Sequence, residues 1–226
     1  GSTFKTASIM VAMEDGYITP DYEVDTGDGV KMMYRRAMRD HNWHRGGYGK
    51  INVSRILEVS SNVGVSAIID HFYHEKPQQY LDGLKRMSVG EPMQLQLPGG
   101  GKPYVKKVDD KTFSATTIPW MSIGYETMIP PIYTLTFYNA IANNGKMVKP
   151  RFVTAAMRGD KVVEEYPVEV INPKICSDTT LTWIHTILRR VVSQGLAKAA
   201  GSEQFHVSGK TGTAQVSQGA GGYRSG

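Results

Sequence analysis

Apolar positions recur at helical spacing over much of the chain, and two long polar, glycine-rich stretches interrupt them. From Ser2 to Asp15 the residues are apolar around most of the circumference (Phe4, Ala7, Ile9, Met10, Val11, Ala12, Met13), and the run stops at Gly16. This pattern predicts a helix buried on all sides, with Ser2-Thr3-Phe4-Lys5 as its first turn. Tyr17 to Lys50 is turn-rich and aromatic and reads as a long irregular connection. Asn52 to Val59 and Val63 to Phe72 keep helical spacing on either side of the polar Ser60-Ser61-Asn62, which must then be a turn.

Pro77 to Met87 predicts another amphipathic helix, and Pro98 opens a second irregular stretch that runs to Thr117. Pro131 to Asn143 has proline in its first turn and Asn144-Gly145 after its end, as a helix requires. Phe152 to Met157 and Val162 to Tyr166 flank Arg158-Gly159-Asp160; the tripeptide reads as the turn of a hairpin rather than as an adhesive motif. Ser177-Asp178 offers an N-cap to a helix over Thr180 to Gln194, with Leu181, Ile184, Ile187, Leu188, Val191 and Val192 on one face. Alternation around Val207 predicts a strand within Gln204 to Gln215, followed by a glycine-rich end.

Composition narrows the class. The 226 residues are 40% apolar and 21% charged, which describes one globular domain or a large piece of one and excludes disorder and coiled coil. No apolar run approaches the roughly 18 to 20 residues of a membrane span, and none of the 226 residues reads as a signal peptide. The net charge of +5 is scattered and not blocked, which argues against nucleic acid and for an anionic substrate or surface. The single cysteine, Cys176, leaves the redox compartment open.

Three short elements carry candidate chemistry. Ser2-x-x-Lys5 is weak alone, but at the start of a hydrophobic helix positions i and i+3 share a face, so the Lys5 amine is within reach of the Ser2 hydroxyl. A serine needs a base to become a nucleophile, and a lysine needs a depressed pKa to be that base. Ser60-x-Asn62 sets a hydroxyl and an amide at a corner. Lys210-Thr211-Gly212 falls on the predicted strand, where Gly212 leaves room for a ligand backbone. In the order Ser-x-x-Lys, Ser-x-Asn, Lys-Thr-Gly these are the signatures of the serine acyl-transferases that include penicillin-binding proteins and β-lactamases.

With these motifs, and with Glu58-Val59-Ser60-Ser61-Asn62, Ser122-Ile123-Gly124-Tyr125, Ala140 to Gly145 and Val207 to Gln215, the chain resembles the transpeptidase domain of class B penicillin-binding proteins over nearly its whole length. The wording is most similar to division-type members from Bacteroidetes. No Glu-x-x-x-Asn element of the deacylating β-lactamase kind stands out, which favours a transpeptidase over a hydrolase.

The resemblance implies an α+β fold, the penicillin-binding protein and serine β-lactamase-like transpeptidase fold. Residues 1–226 are expected to be an incomplete fragment dominated by its helical part, with flanking sheet strands missing and catalysis impaired as a result. It implies a peptidoglycan D,D-transpeptidase that cross-links stem peptides through a serine acyl-enzyme during division. Catalytic roles fall to Ser2, Lys5, Ser60 and Lys210, and substrate binding to Asn62, Thr211, Gly212 and Thr213. The backbone N–H groups of Ser2 and Thr213 are expected to form the oxyanion hole. Implied partners are stem peptides with a D-Ala-D-Ala donor and an amine acceptor, β-lactams, division proteins and a membrane anchor in the parent protein. The implied place is the inner membrane, with the domain facing the periplasm; no cofactor, metal or nucleic acid is called for. The alternative is a β-lactam or peptidoglycan sensor, or a non-catalytic scaffold of the same fold.

Other residues carry plainer readings. His41/His44 and His71/His74 have i, i+3 spacing, but no nearby Cys or paired carboxylate pattern completes a metal site. Met32, Met33, Trp43 and Tyr48 are candidates to border a cleft, as are Trp120 and Tyr125, although core packing is the commoner fate of such side chains.

Overall fold

A computed structural model describes residues 1–96, 98–99, 101–213, 215–217 and 223–225. Among the described residues seven α-helices form the body: α1 (Phe4–Glu14), α2 (Val53–Glu58), α3 (Asn62–Tyr73), α4 (Pro77–Arg86), α5 (Thr117–Ser122), α6 (Pro131–Ala142) and α7 (Asp178–Ser193). Short strands, paired two by two among the described residues, decorate this body.

The central element is α1. Every residue from Phe4 to Met13 is buried, and the helix packs on α3, α4, α5 and α7. Its interior position leaves Lys5, Thr6 and Ser8 without water, so each finds a partner on a different neighbour. The Thr6 hydroxyl pairs with that of Tyr138 on α6 at 2.8 Å; Ser8 pairs with the Tyr80 hydroxyl at 2.8 Å and donates to the Ser122 carbonyl at 2.7 Å. These bonds fix the rotation and depth of α1, which oil-like packing alone would leave free. Approach by α4 depends on Gly83, where a Cβ would stand 2.4 Å from a Val11 methyl.

At its far end α1 is tied to α7. The Glu14 carboxylate accepts from the Ser177 N–H at 3.0 Å and from the hydroxyls of Ser177 (2.8 Å) and Thr180 (2.6 Å), so an anion sits on the first turn of α7. Ser177 is the N-cap, accepting from the Thr180 N–H. The predicted apolar face of α7, Leu181 to Val192, is the one that is buried.

Three expectations change. The stretch from Tyr17 to Lys50 is not wholly irregular: Val30–Met33 pairs antiparallel with Arg36–Arg39, and Glu23–Asp25 with Lys50–Asn52. Strands of three or four residues are too short to establish an alternating pattern, so glycine dominated the reading. Tyr104–Val105 likewise pairs with Thr127–Met128 inside the second stretch. Conversely, residues 204–213 form no strand. Their backbone is held by α7 instead of a ladder: Gly209 N–H donates to the Leu188 carbonyl at 3.1 Å, and Arg189 donates to the Val207 carbonyl at 3.1 Å. Alternation records which side chains could share a face, but pairing needs a neighbour. The predicted hairpin is present as Ala155–Arg158 with Lys161–Glu165, turning at Gly159 with φ +59°. Ala214 lies outside the described residues, and only the backbone of Gln215 is described.

Candidate active site

Ser2 sits one residue before the Thr3 N-cap of α1, and Lys5 lies in the first turn. Both are buried, Lys5 completely. The Lys5 amine donates to the Ser60 carbonyl at 2.7 Å and to the Ser60 hydroxyl at 3.0 Å. Burial holds its pKa well below the ordinary lysine value; the nearby Lys210 charge pushes the same way, and Asp40 opposes them. The i, i+3 spacing suggested a bond from Lys5 to Ser2. Among the described residues the amine instead hydrogen-bonds Ser60, which offers two acceptors, so the second motif satisfies the buried amine of the first.

The turn between α2 and α3 explains how Ser60 reaches this position. After α2 the Ser60 N–H bonds the Leu57 carbonyl (3.2 Å) and the Ser61 N–H bonds the Ile56 carbonyl (2.9 Å), the paired return bonds of a Schellman end. That geometry needs a left-handed residue at Ser60, whose φ is +54°. Glycine is the usual occupant, and a side chain there costs about 1 to 2 kcal/mol. Ser61 then caps α3, accepting from the Gly64 N–H at 2.9 Å. The end of α2 is anchored by Glu58, whose buried carboxylate pairs with Arg55 and with Arg190 of α7.

Asp40, which the sequence reading did not single out, holds the turn from the other side. Its buried carboxylate accepts from the Ser61 hydroxyl at 2.8 Å and from the Val63 N–H at 2.9 Å. Asn62 donates to the Arg39 carbonyl at 2.7 Å, so the Val30–Arg39 hairpin and the Ser-x-Asn turn are fastened at two adjacent residues. The available signal was a lone acid between Arg39 and His41 in a stretch otherwise read as loop.

The third motif runs beside the start of α1. Lys210 is half-buried, its amine donating to the Thr211 hydroxyl (3.0 Å) and carbonyl (3.2 Å); burial lowers its pKa to about 8. Thr211 is half-buried, while Gly212 and Thr213 are exposed. A Cβ at Gly212 would lie 3.2 Å from the Thr3 methyl. The space that glycine provides is therefore taken up by Thr3, where a ligand backbone had been expected. The Ser2 N–H, expected to face an oxyanion, points at the Thr213 carbonyl over 3.4 Å. That is longer than a normal bond of about 2.9 to 3.0 Å, so it is a weak contact.

A cleft of about 690 Å³ opens over Ser2, with Asn62 and Thr213 on its border and Arg36, Arg39, Asp40, Trp43, Trp120 and Tyr125 among its walls. Gly124 packs against the residue before Ser2: its φ is +93°, and a Cβ would come within 2.3 Å of the Gly1 carbonyl oxygen. Of the side chains expected to border the cleft, Trp43, Trp120 and Tyr125 line it, Met33 is in the core, Met32 is exposed outside the lining, and Tyr48 hydrogen-bonds His41. The structure brings Ser2, Asn62 and Thr213 to one cleft, joins Lys5 to Ser60 beneath it, and sets Lys210 close enough to act on Lys5.

Residues 1–226 match the family described as the penicillin binding protein transpeptidase domain. Among curated proteins the chain is 27% identical over 224 residues to penicillin-binding protein PbpB of Mycobacterium tuberculosis, covering 95% of this chain and 31% of that protein. It is 24% identical over 218 residues to the probable peptidoglycan D,D-transpeptidase FtsI of Caulobacter vibrioides, covering 95% of this chain and 34% of that protein. The chain thus spans about a third of the length of these relatives. The crystal structure of penicillin binding protein 3 from Mycobacterium tuberculosis complexed with ampicillin superposes with a TM-score of 0.83 at 27% identity, covering 99% of this chain and 49% of that one. The aztreonam complex of the same protein gives 0.82.

Proposed function

This chain belongs to the penicillin-binding protein transpeptidase domain family, and we propose that it carries the acyl-transfer machinery of a D,D-transpeptidase that cross-links peptidoglycan stem peptides at division. The observation that carries this reading is the pair formed by Lys5 and Ser60: a buried amine, depressed in pKa, bonded to a second hydroxyl under the cleft that holds Ser2. A merely structural lysine is seldom buried this way, because a charged amine without a carboxylate partner is costly inside a protein.

In this reading the Ser2 hydroxyl attacks the carbonyl carbon between the two terminal D-alanines of a donor peptide, and neutral Lys5 takes its proton. The N–H groups of Ser2 and Thr213 stabilise the oxyanion once the long Ser2–Thr213 contact yields to substrate. The C–N bond then breaks; Ser60 passes the proton from Lys5 to the departing D-alanine amine, leaving an ester on Ser2. Asn62 holds the donor amide, while Lys210, Thr211 and Thr213 bind the terminal carboxylate, with Gly212 keeping that segment against α1. An acceptor amine attacks the ester, forms the new amide and returns the proton to Ser2. A β-lactam enters by the same attack and remains as the opened ring on Ser2; ampicillin and aztreonam complexes of the solved relative support this.

No helix of the described residues is long and apolar enough to cross a membrane. We place the activity at the outer face of the inner membrane, with division proteins as partners of the whole protein. The test is intact mass after incubation with benzylpenicillin: one adduct mapping to Ser2 is expected, and none in Ser2→Ala. An adduct that persists in that variant overturns the assignment.

A further inference from the structure

Two cations on the cleft wall have no role in the chemistry above. Arg36 and Arg39 both border the cavity over Ser2, and neither forms an ion pair among the described residues. Each lies over an indole ring instead: the Arg36 guanidinium carbon is 4.7 Å from the centre of the Trp120 ring, and that of Arg39 is 5.1 Å from the centre of the Trp43 ring. A guanidinium held over an indole loses rotational freedom but keeps its in-plane N–H donors available, the arrangement suited to a carboxylate.

The nearby acid carries one charge against their two and forms no ion pair with either among the described residues. Asp40 is the next residue after Arg39, but its two oxygens are taken by the Ser61 hydroxyl and the Val63 N–H. The other titratable lining groups are His41, which is engaged with the Tyr48 hydroxyl, and the Tyr125 phenol. The wall is therefore net positive. Its position is also set, because the Asn62 amide that hydrogen-bonds the Arg39 carbonyl belongs to the turn assigned to the donor peptide.

We propose that Arg36 and Arg39 form a second anion subsite, which grips a carboxylate carried by the donor peptide upstream of the bond that is broken. This rests on the acyl-transfer reading and adds a substrate class to it: peptides with a free carboxylate in that segment are preferred over the same peptides amidated there. The subsite is distinct from Lys210 and Thr213, which would take the terminal carboxylate.

The test uses two peptide thioesters with the same D-alanyl end, differing only in a carboxylate or carboxamide upstream. The native chain is expected to acylate faster with the carboxylate, by about tenfold at low salt, and this ratio should shrink as ionic strength rises. In Arg36→Gln/Arg39→Gln the ratio should fall to about one, with Arg36→Lys/Arg39→Lys intermediate because lysine retains charge but not the fork. Equal rates for the two peptides in the native chain, or an undiminished ratio in the double glutamine variant, overturns the subsite. Calorimetric binding of the pair to Ser2→Ala reads the subsite without the chemistry: tighter binding of the carboxylate peptide is expected there, and equal affinities overturn the proposal. Failure of benzylpenicillin to label Ser2 in the native chain overturns the acyl-transfer reading separately.

Discussion

The Lys5 amine donates to both the carbonyl and the hydroxyl of Ser60, at 2.7 and 3.0 Å, although 55 residues separate them in the chain. One is in the first turn of a helix buried from Phe4 to Met13; the other is the left-handed residue that ends α2. The bond goes with a strained backbone: both Ser60 oxygens meet one amine at a residue whose φ is +54°.

Ser60→Gly separates these two roles. Glycine adopts the left-handed conformation freely, so the variant should be more stable than Ser60→Ala by about 1 kcal/mol in denaturant unfolding. Both variants should acylate at least tenfold more slowly with benzylpenicillin, if a proton relay of ordinary effectiveness, about 10²- to 10⁴-fold, is partly replaced by water. A Ser60→Gly protein that is less stable than Ser60→Ala would show that the position is not under strain.

The pH dependence follows from two depressed lysines. Acylation should rise with pH as Lys5 loses its proton, well below the ordinary lysine range. For ligands with a terminal carboxylate it should fall again as Lys210 loses its charge near pH 8. Lys210→Gln should remove the falling limb while lowering the maximum. Stability runs the other way from a salt-bridged lysine: between about 8 and the ordinary 10.5 the unfolded chain binds more protons than the folded one at Lys210, so stability rises with pH across that window. Unfolding midpoints at a series of pH values would check the sign.

Asp40→Asn should act on both stability and pH profile. The amide has one acceptor oxygen where the carboxylate serves both Ser61 and Val63, so a buried partner is left unpaired at a cost of about 1 to 3 kcal/mol. Asp40 also raises the Lys5 pKa against the other influences. Its removal should shift the rising limb of the acylation profile to lower pH. An upward shift would contradict the electrostatic role.

Glu14 supplies an acid-sensitive link between α1 and α7. Burial works to raise its pKa, but the bonds from Thr180 and Ser177, with Arg86, leave it below the ordinary 4.5. A carboxylate with a depressed folded pKa adds stability above its unfolded pKa, and this is lost as pH falls through the folded value. The native chain should therefore lose stability more steeply than Glu14→Gln below pH 4.5. Parallel pH profiles would refute the link.

Much of the helical body was legible in the sequence because its signals are local. The apolar face of α7, its Ser177 cap, Pro77 and Pro131 at the starts of α4 and α6, and the full apolar circumference of α1 all lie within a few residues of what they specify. The motif serines and lysines were legible for the same reason, since their spacings are short. The fastening of the site was not. Asp40 is one acid among many until the hairpin returns it to the start of α3, and Arg36 and Arg39 are two scattered charges until Trp120 and Trp43 are set beneath them.

The sequence by itself determined which residues carry reactive groups and which helices are buried, since periodicity, caps and side-chain chemistry are properties of neighbouring positions. Only the tertiary structure decided that the Lys5 amine goes to Ser60 and that Gly212 is filled by Thr3. It likewise decided that residues 204–213 rest on α7 with no ladder. The physical reason is that a buried amine, a bare Cα and an unpaired backbone N–H each take the best partner that packing brings within about 3 Å. That partner is chosen by contacts between segments far apart in the chain.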